Sequence, residues 1–161
     1  MRRKDREVTD PAALRQIIRD CPVIRLGLTD GSPYPYIVPM NFGYEFAEGE
    51  IYFYVHSAMA GRKYALMRQN GVCSFELDGG HALILDAAAK DVTMHYKSAM
   101  GKARIEFLEG EEKTRALALL MARDERTRSF DYARAPLLHT AVARLTVTEL
   151  TGKTNPGPRP E

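Results

Sequence analysis

A mainly β fold, an antiparallel barrel with flanking helices, is what this sequence predicts, and three observations point to it. Six or seven short stretches alternate apolar and polar residues, the period of half-buried strands. Turn signals rich in Gly, Pro, Asn and Asp separate them. Gly101 interrupts the longest stretch, where a bulge or bend can curl a sheet towards closure. With 161 residues, the chain suits one domain with its own core.

Each element follows from local signals. Asp10-Pro11 is a cap followed by proline at the first helical position, and Leu14, Ile17 and Ile18 recur at helical spacing, so 11–20 is an amphipathic helix that Pro22 stops. Residues 23–29 alternate as a strand, DGSPYP is a turn, and 36–46 return as the second strand of a hairpin. After the turn AEGE, residues 51–56 put Ile51, Phe53 and Val55 on one face and Tyr52, Tyr54 and His56 on the other. Three such strands in a row predict an antiparallel meander. A helix from 62 to 69 ends at the stop signal Asn70-Gly71, and 72–78 resume strand character. The next stretch, to Met94, reads either as a strand around 82–85 or as a loop over the barrel. Residues 95–109 form a long strand, 110–125 a helix with Glu111 and Glu112 in its first turn, and 141–150 a last strand with Ala141, Ala143, Leu145 and Val147 on one face. The expected domain covers 1–153, and the Pro/Gly-rich residues 154–161 are expected to be a flexible tail.

Composition narrows the function. A net charge of +2 is too mild for a nucleic-acid partner, and no window approaches the roughly 18 apolar residues of a membrane span. The basic N-terminus leads into no apolar segment, so a cytoplasmic protein is expected. Cys21 and Cys73 lack CxxC spacing and read as small core residues. No GxSxG, P-loop or GxGxxG signature occurs, and His81, His95 and His139 lack the spacing of a metal motif such as HExxH.

The stretch HSAMAGRK draws the eye, because Arg62 and Lys63 open a helix whose N-terminal dipole disfavours cations. Unpaired N–H groups at a helix start, the Ser57 hydroxyl, the small residues up to Gly61 and the two cations together suit a phosphate. A solvated basic turn is the alternative reading. His56 suits a proton donor to substrate or phosphate, and equally a strand-end histidine bonded to its neighbours. Pro39 cannot donate to a ladder, so its strand belongs at an edge or bulge, where free backbone groups can meet a ligand.

Three blocks in this order, VPMNFGYEF, YFYVHSAMAGRKYALMRQNGVCSFEL and HYKSAMGKARIEFLEGEEKTRALALLMAR, resemble the flavin-binding split-barrel proteins related to pyridoxamine 5'-phosphate oxidase, and within them the nitroimidazole-resistance branch. The resemblance implies a six-stranded antiparallel split barrel that forms a homodimer with flavin mononucleotide (FMN) at the subunit interface. It assigns the phosphate to His56, Ser57, Gly61, Arg62 and Lys63, the flavin ring to Pro39, Met40, Asn41 and Phe42, and further contacts, across the dimer, to Tyr96 and Ser98. His56 is its candidate catalytic residue. The implied activity is electron transfer from a nicotinamide nucleotide to a small acceptor such as a nitroaromatic. Flavin adenine dinucleotide (FAD) is an alternative cofactor, and a haem bound through one of the histidines, or a flavin held without turnover, is the alternative function.

Overall fold

In the computed structural model, which describes residues 2–87, 90–128 and 139–155, one antiparallel sheet dominates. A short 3-10 turn, Lys4–Arg6, leads into β1 (Glu7–Val8) and α1 (Pro11–Asp20). Then come β2 (Ile24–Leu28), β3 (Tyr36–Met40), β4 (Phe42–Ala47), β5 (Glu50–Ala58), α2 (Arg62–Asn70), β6 (Val72–Asp86), β7 (Asp91–Leu108), α3 (Gly110–Met121), α4 (Glu125–Arg128) and β8 (Thr140–Asn155). The strand order is β3-β2-β6-β7-β8-β5-β4, with β1 paired to β8. The residues expected to form the flexible tail divide at Asn155. Thr154 and Asn155 pair with Lys97 and Tyr96 as part of β8, and 156–161 lie outside the described residues.

The expected meander is corrected at Asn41. Residues 36–46 are two strands: β3 pairs with β2 and β4 with β5, and the two lie at opposite ends of the sheet. Only Asn41 joins them, so Met40 and Phe42 are at most about 7.6 Å apart, two Cα–Cα steps. A sheet whose first and last strands meet at one residue has curled almost into a barrel, yet no ladder closes β3 onto β4. The result is a split barrel of eight strands, open along a seam. Pro39 sits on the edge strand β3, where a residue that cannot donate is tolerated.

Further curvature comes from two irregularities. The β6–β7 register shifts between Gly79 and Ala82, and the β7–β8 register shifts beside Gly101, where Thr148 of β8 has no partner residue on β7. Inside the curl, Phe42, Phe53 and Phe75 stack edge to face at 5.6 and 5.1 Å, with Ile24, Leu26, Leu77 and Leu145 fully buried around them. Helix α1 adds Ile17 and Ile18, α2 adds Leu66 and Met67, and α3 packs Ala116, Leu117 and Leu120 on Tyr54 and Val142. Cys21 and Cys73 are buried free thiols, as their surroundings in the sequence suggested, and burial pushes them up to about 11 and about 12.

The start of α1 follows its sequence signal: the Asp10 carboxylate accepts from the Ala13 N–H at 2.8 Å. Asp10→Ala is therefore expected to cost about 1 kcal/mol, seen as a small fall in the denaturant midpoint at unchanged slope.

Candidate active site at the barrel seam

The seam places the last residue of β3, the Asn41 link and the first residue of β4 beside the C-terminal half of β5 and the start of α2. Two hollows open there. The first, about 270 Å³, is lined by Val23, Pro39, Met40, Asn41, His56 and Lys63. The second, about 430 Å³ and more apolar, is walled by Phe42, Leu120, Met121 and Arg123 and shares Asn41 and His56 with the first. Taken together they reach the roughly 300–1,000 Å³ range of ligand pockets.

Chain geometry at α2 suits an anion. Gly61 precedes the helix at φ 94°, a conformation that a side chain would strain, and no side chain caps the helix. The first-turn N–H groups therefore lack an intrahelical or capping partner, and the positive end of the dipole lies there. Lys63 brings its charge into the first hollow, next to His56.

Of the predicted residues, Pro39, Met40, Asn41, His56 and Lys63 meet in the first hollow, and Phe42 lines the second. Gly61 takes the helix-cap position. The other predicted residues are placed elsewhere. Arg62 forms an ion pair with Asp30 and lies 4.8 Å over the Tyr36 ring, so its charge already has an anion within the chain. Hydrogen bonds from Ser32, and then from Arg62, hold Asp30 down at about 2. Ser57 is buried, and its hydroxyl donates to the Ala58 carbonyl at 2.9 Å, which commits the proton expected for a ligand.

Tyr96 and Ser98 do not reach this cleft within one chain. Tyr96 pairs with Asn155 at one end of β8, whereas His56 pairs with Val142 near the other, of the order of 40 Å along the strand. Although burial acts in the opposite sense, hydrogen bonds from Lys153 and Arg6 hold the Tyr96 hydroxyl below its usual pKa.

Arg123 is a cleft residue that sequence reasoning missed. Its guanidinium lies 4.5 Å over Phe42 and 5.0 Å over Tyr44, and it donates to the Arg19 and Cys21 carbonyls, clamping the end of α3 to the end of α1. Its only sequence signal, a cation after an amphipathic helix, is common to many surface residues.

His56 is exposed on one side, yet desolvation by its neighbours, and then the Lys63 charge, lower its pKa below the ordinary 6.5. It is therefore neutral at pH 7. Because the folded value lies below the unfolded one, its share of stability is whole above about pH 6.5 and is lost as pH falls towards the folded value. An anion beside Lys63 offsets the repulsion, so the His56 ring-proton resonance is expected to titrate below 6.5 in free protein and to move up when inorganic phosphate is added. A midpoint unmoved by phosphate would place the anion elsewhere.

Neither His81 nor His95 lines the cleft. His81 pairs with Asp78 at 3.0 Å, and the Nδ1 of His95 is buried without a partner at the root of the β6–β7 hairpin. Among the described residues no group of side chains could hold a metal ion, and no helix is long and apolar enough to cross a membrane.

Comparison with known proteins agrees with this architecture. The family model described as pyridoxamine 5'-phosphate oxidase matches residues 10–154. The structure of a candidate 5-nitroimidazole antibiotic resistance protein from Bacteroides thetaiotaomicron superposes with a TM-score of 0.79 at 30% identity, covering 92% of this chain and 86% of that one. An FAD- and haem-binding protein from Mycobacterium smegmatis shares the fold at a TM-score of 0.79 and 16% identity, over 97% of this chain and 76% of that one. So does a flavocytochrome from Azotobacter vinelandii, at a TM-score of 0.73 and 22% identity, over 100% of this chain and 74% of that one. No curated protein matches the sequence.

Proposed function

Because this chain belongs to the pyridoxamine 5'-phosphate oxidase family, we propose that it is a flavin-dependent oxidoreductase: a homodimer that holds FMN at the seam and passes electrons from a nicotinamide nucleotide to a small acceptor such as a nitroaromatic. The observation that carries this reading is the first hollow, where Lys63, His56 and the edge strand at Pro39–Asn41 converge. A bound flavin supplies the redox chemistry, and the protein supplies binding, orientation and local charge.

The residues fit that group. Lys63 and the uncapped start of α2 hold the phosphate, while the backbone at the β3 edge offers hydrogen-bonding groups to the polar rim of the ring. Phe42, Leu120 and Met121 wall an apolar space next to it, where a flat acceptor is shielded from water. His56, shared by both hollows, is placed to hydrogen-bond a reduced acceptor through its neutral ring, and to relay a proton to it once the ring has taken one up from solvent. Desolvation by its surroundings, and then the Lys63 charge, favour the uncharged ring between turnovers.

The visible spectrum of the purified protein, before and after addition of FMN, tests the reading, with the released cofactor identified by chromatography. A retained flavin spectrum, and nicotinamide nucleotide oxidation that depends on an added nitro compound, are expected. A haem Soret band would move the protein to the haem-binding reading. Flavin retained without turnover would make it a flavin carrier.

A further inference from the structure

Two cations line the cleft, Lys63 in the first hollow and Arg123 in the second. Lys63 has a phosphate to meet in the function proposed above. Among the described residues no carboxylate forms an ion pair with Arg123, and the nearest candidates are taken: Asp124 pairs with Arg126 at 2.5 Å, a contact that holds its carboxyl down at about 2, and Asp20 pairs with Lys97. A guanidinium carries five N–H donors in one planar fork. Two go to the Arg19 and Cys21 carbonyls, at 3.1 and 2.5 Å, which leaves three without an acceptor among the described residues. Phe42 and Tyr44 stack on the group and fix its plane, so those donors are already oriented.

The second hollow has two ends. Asn41 and His56 mark the one it shares with the first hollow, and Pro22 and Arg123 mark the other, where it adjoins a third hollow of about 570 Å³. Phe42, Leu120 and Met121 add apolar wall. At about 430 Å³ the space takes one aromatic ring with its substituents. Backbone holds the walls in place. A Cβ on Gly43 would lie 2.8 Å from the Leu120 nitrogen and 2.9 Å from the Leu119 carbonyl carbon, so α3 rests directly on β4, and the Thr127 hydroxyl donates to the Met121 carbonyl at 2.5 Å.

From this geometry we infer that the second hollow binds a small planar aromatic carboxylate, with its acid group on the free N–H donors of Arg123, its ring against Phe42, Leu120 and Met121, and its far end at His56. A carboxylate accepts two parallel N–H bonds in the arrangement that the fork offers. An uncharged ring would leave the cation without a partner, and a cationic one would meet Arg123 and, from the first hollow, Lys63. Asp124 does not reverse this balance, because Arg126 neutralises it. The inference rests on the function proposed above for the role of this ligand, which makes the electron acceptor an aromatic acid; the binding itself needs no flavin.

Calorimetric titration of the whole chain with benzoate, and with benzamide as its uncharged isostere, tests it. Saturating inorganic phosphate keeps Lys63 and the start of α2 occupied. Benzoate is expected to bind at least about tenfold tighter than benzamide, the advantage of a charge-assisted pair over a neutral one. Arg123→Gln should erase that preference. Because Arg123 also clamps α1 to α3, a second variant leaves the clamp intact: Met121→Glu sets a carboxylate in the hollow, and should erase the preference at an unchanged melting temperature. A wild type that binds benzoate no better than benzamide, a preference that survives Met121→Glu, or benzoate binding seen only without phosphate would overturn the inference. A preference for benzoate in protein that takes up no FMN would remove the flavin reading and leave the acid site, whereas FMN uptake without the preference would do the reverse.

Discussion

Lys63→Ala is expected to weaken FMN binding roughly 10- to 150-fold, the loss of about 1.5–3 kcal/mol that a hydrogen bond to a charged group supplies. The reason is positional. Of the two cations that open α2, only Lys63 lines the hollow that also holds Pro39, Asn41 and His56. Arg62 turns the other way, to Asp30 and Tyr36. Arg62→Ala should therefore leave flavin affinity within a few-fold of wild type and act on the 29–36 turn instead. Flavin fluorescence titration of the two single variants separates these roles; equal losses would mean that Arg62 leaves Asp30 to serve the ligand. Removing Lys63 also relieves the repulsion that lowers the His56 pKa, so the histidine should titrate higher in that variant.

The other large effect is expected at Gly101, far from this chain's cleft. A Cβ added there would lie 1.8 Å from the Glu149 carbonyl oxygen and 2.9 Å from the Phe75 ring. The first contact is with backbone, held in place by the β7–β8 ladder on both sides of the irregularity. Neither strand can give way without losing ladder bonds, so Gly101→Ala should cost more than about 3 kcal/mol, at the severe end of overpacking. For a chain of this size that lowers Tm by on the order of 10 °C in a thermal melt followed by circular dichroism. Gly27→Ala is the control, because its nearest neighbour, the Ser74 Cβ, stands at 3.8 Å. Similar melting temperatures for the two variants would contradict the close approach at the bend.

The reach of the sequence was set by how local each signal is. Helix α1 could be read because its cap, proline and apolar spacing are neighbours, and the Asp10 bond confirms the cap. The stop at Gly71 could be read because its left-handed conformation, φ 64°, is what glycine supplies. Pro39 pointed to an edge because its missing donor is a property of the residue alone. The break at Asn41 was hidden, since no turn signal interrupts YIVPMNFGYEF; what separates β3 from β4 is the closure of the whole sheet. The stretch around 82–85 was ambiguous because the Gly79–Ala82 shift breaks the period by which a strand is recognised.

In the cleft the same limit applies. The sequence brought His56 and Lys63 to the start of α2, and residues 39–42 to a ligand-facing edge. It could not see that Asp30, 32 residues before Arg62, would take that cation. Nor could it see that α3 would swing Leu120, Met121 and Arg123 against Phe42 to wall the second hollow. Tyr96 and Ser98 were implied by resemblance alone, and on a single chain they face outward from β7.

The central claim is that the uncapped start of α2, with Lys63, is a phosphate site belonging to a flavin pocket. Riboflavin, which is FMN without its phosphate, tests it most directly. Dissociation constants for the two, measured by equilibrium titration on the same preparation, should differ by tenfold or more in favour of FMN, with the difference shrinking in Lys63→Ala. Equal affinities for FMN and riboflavin in the wild type would contradict the account.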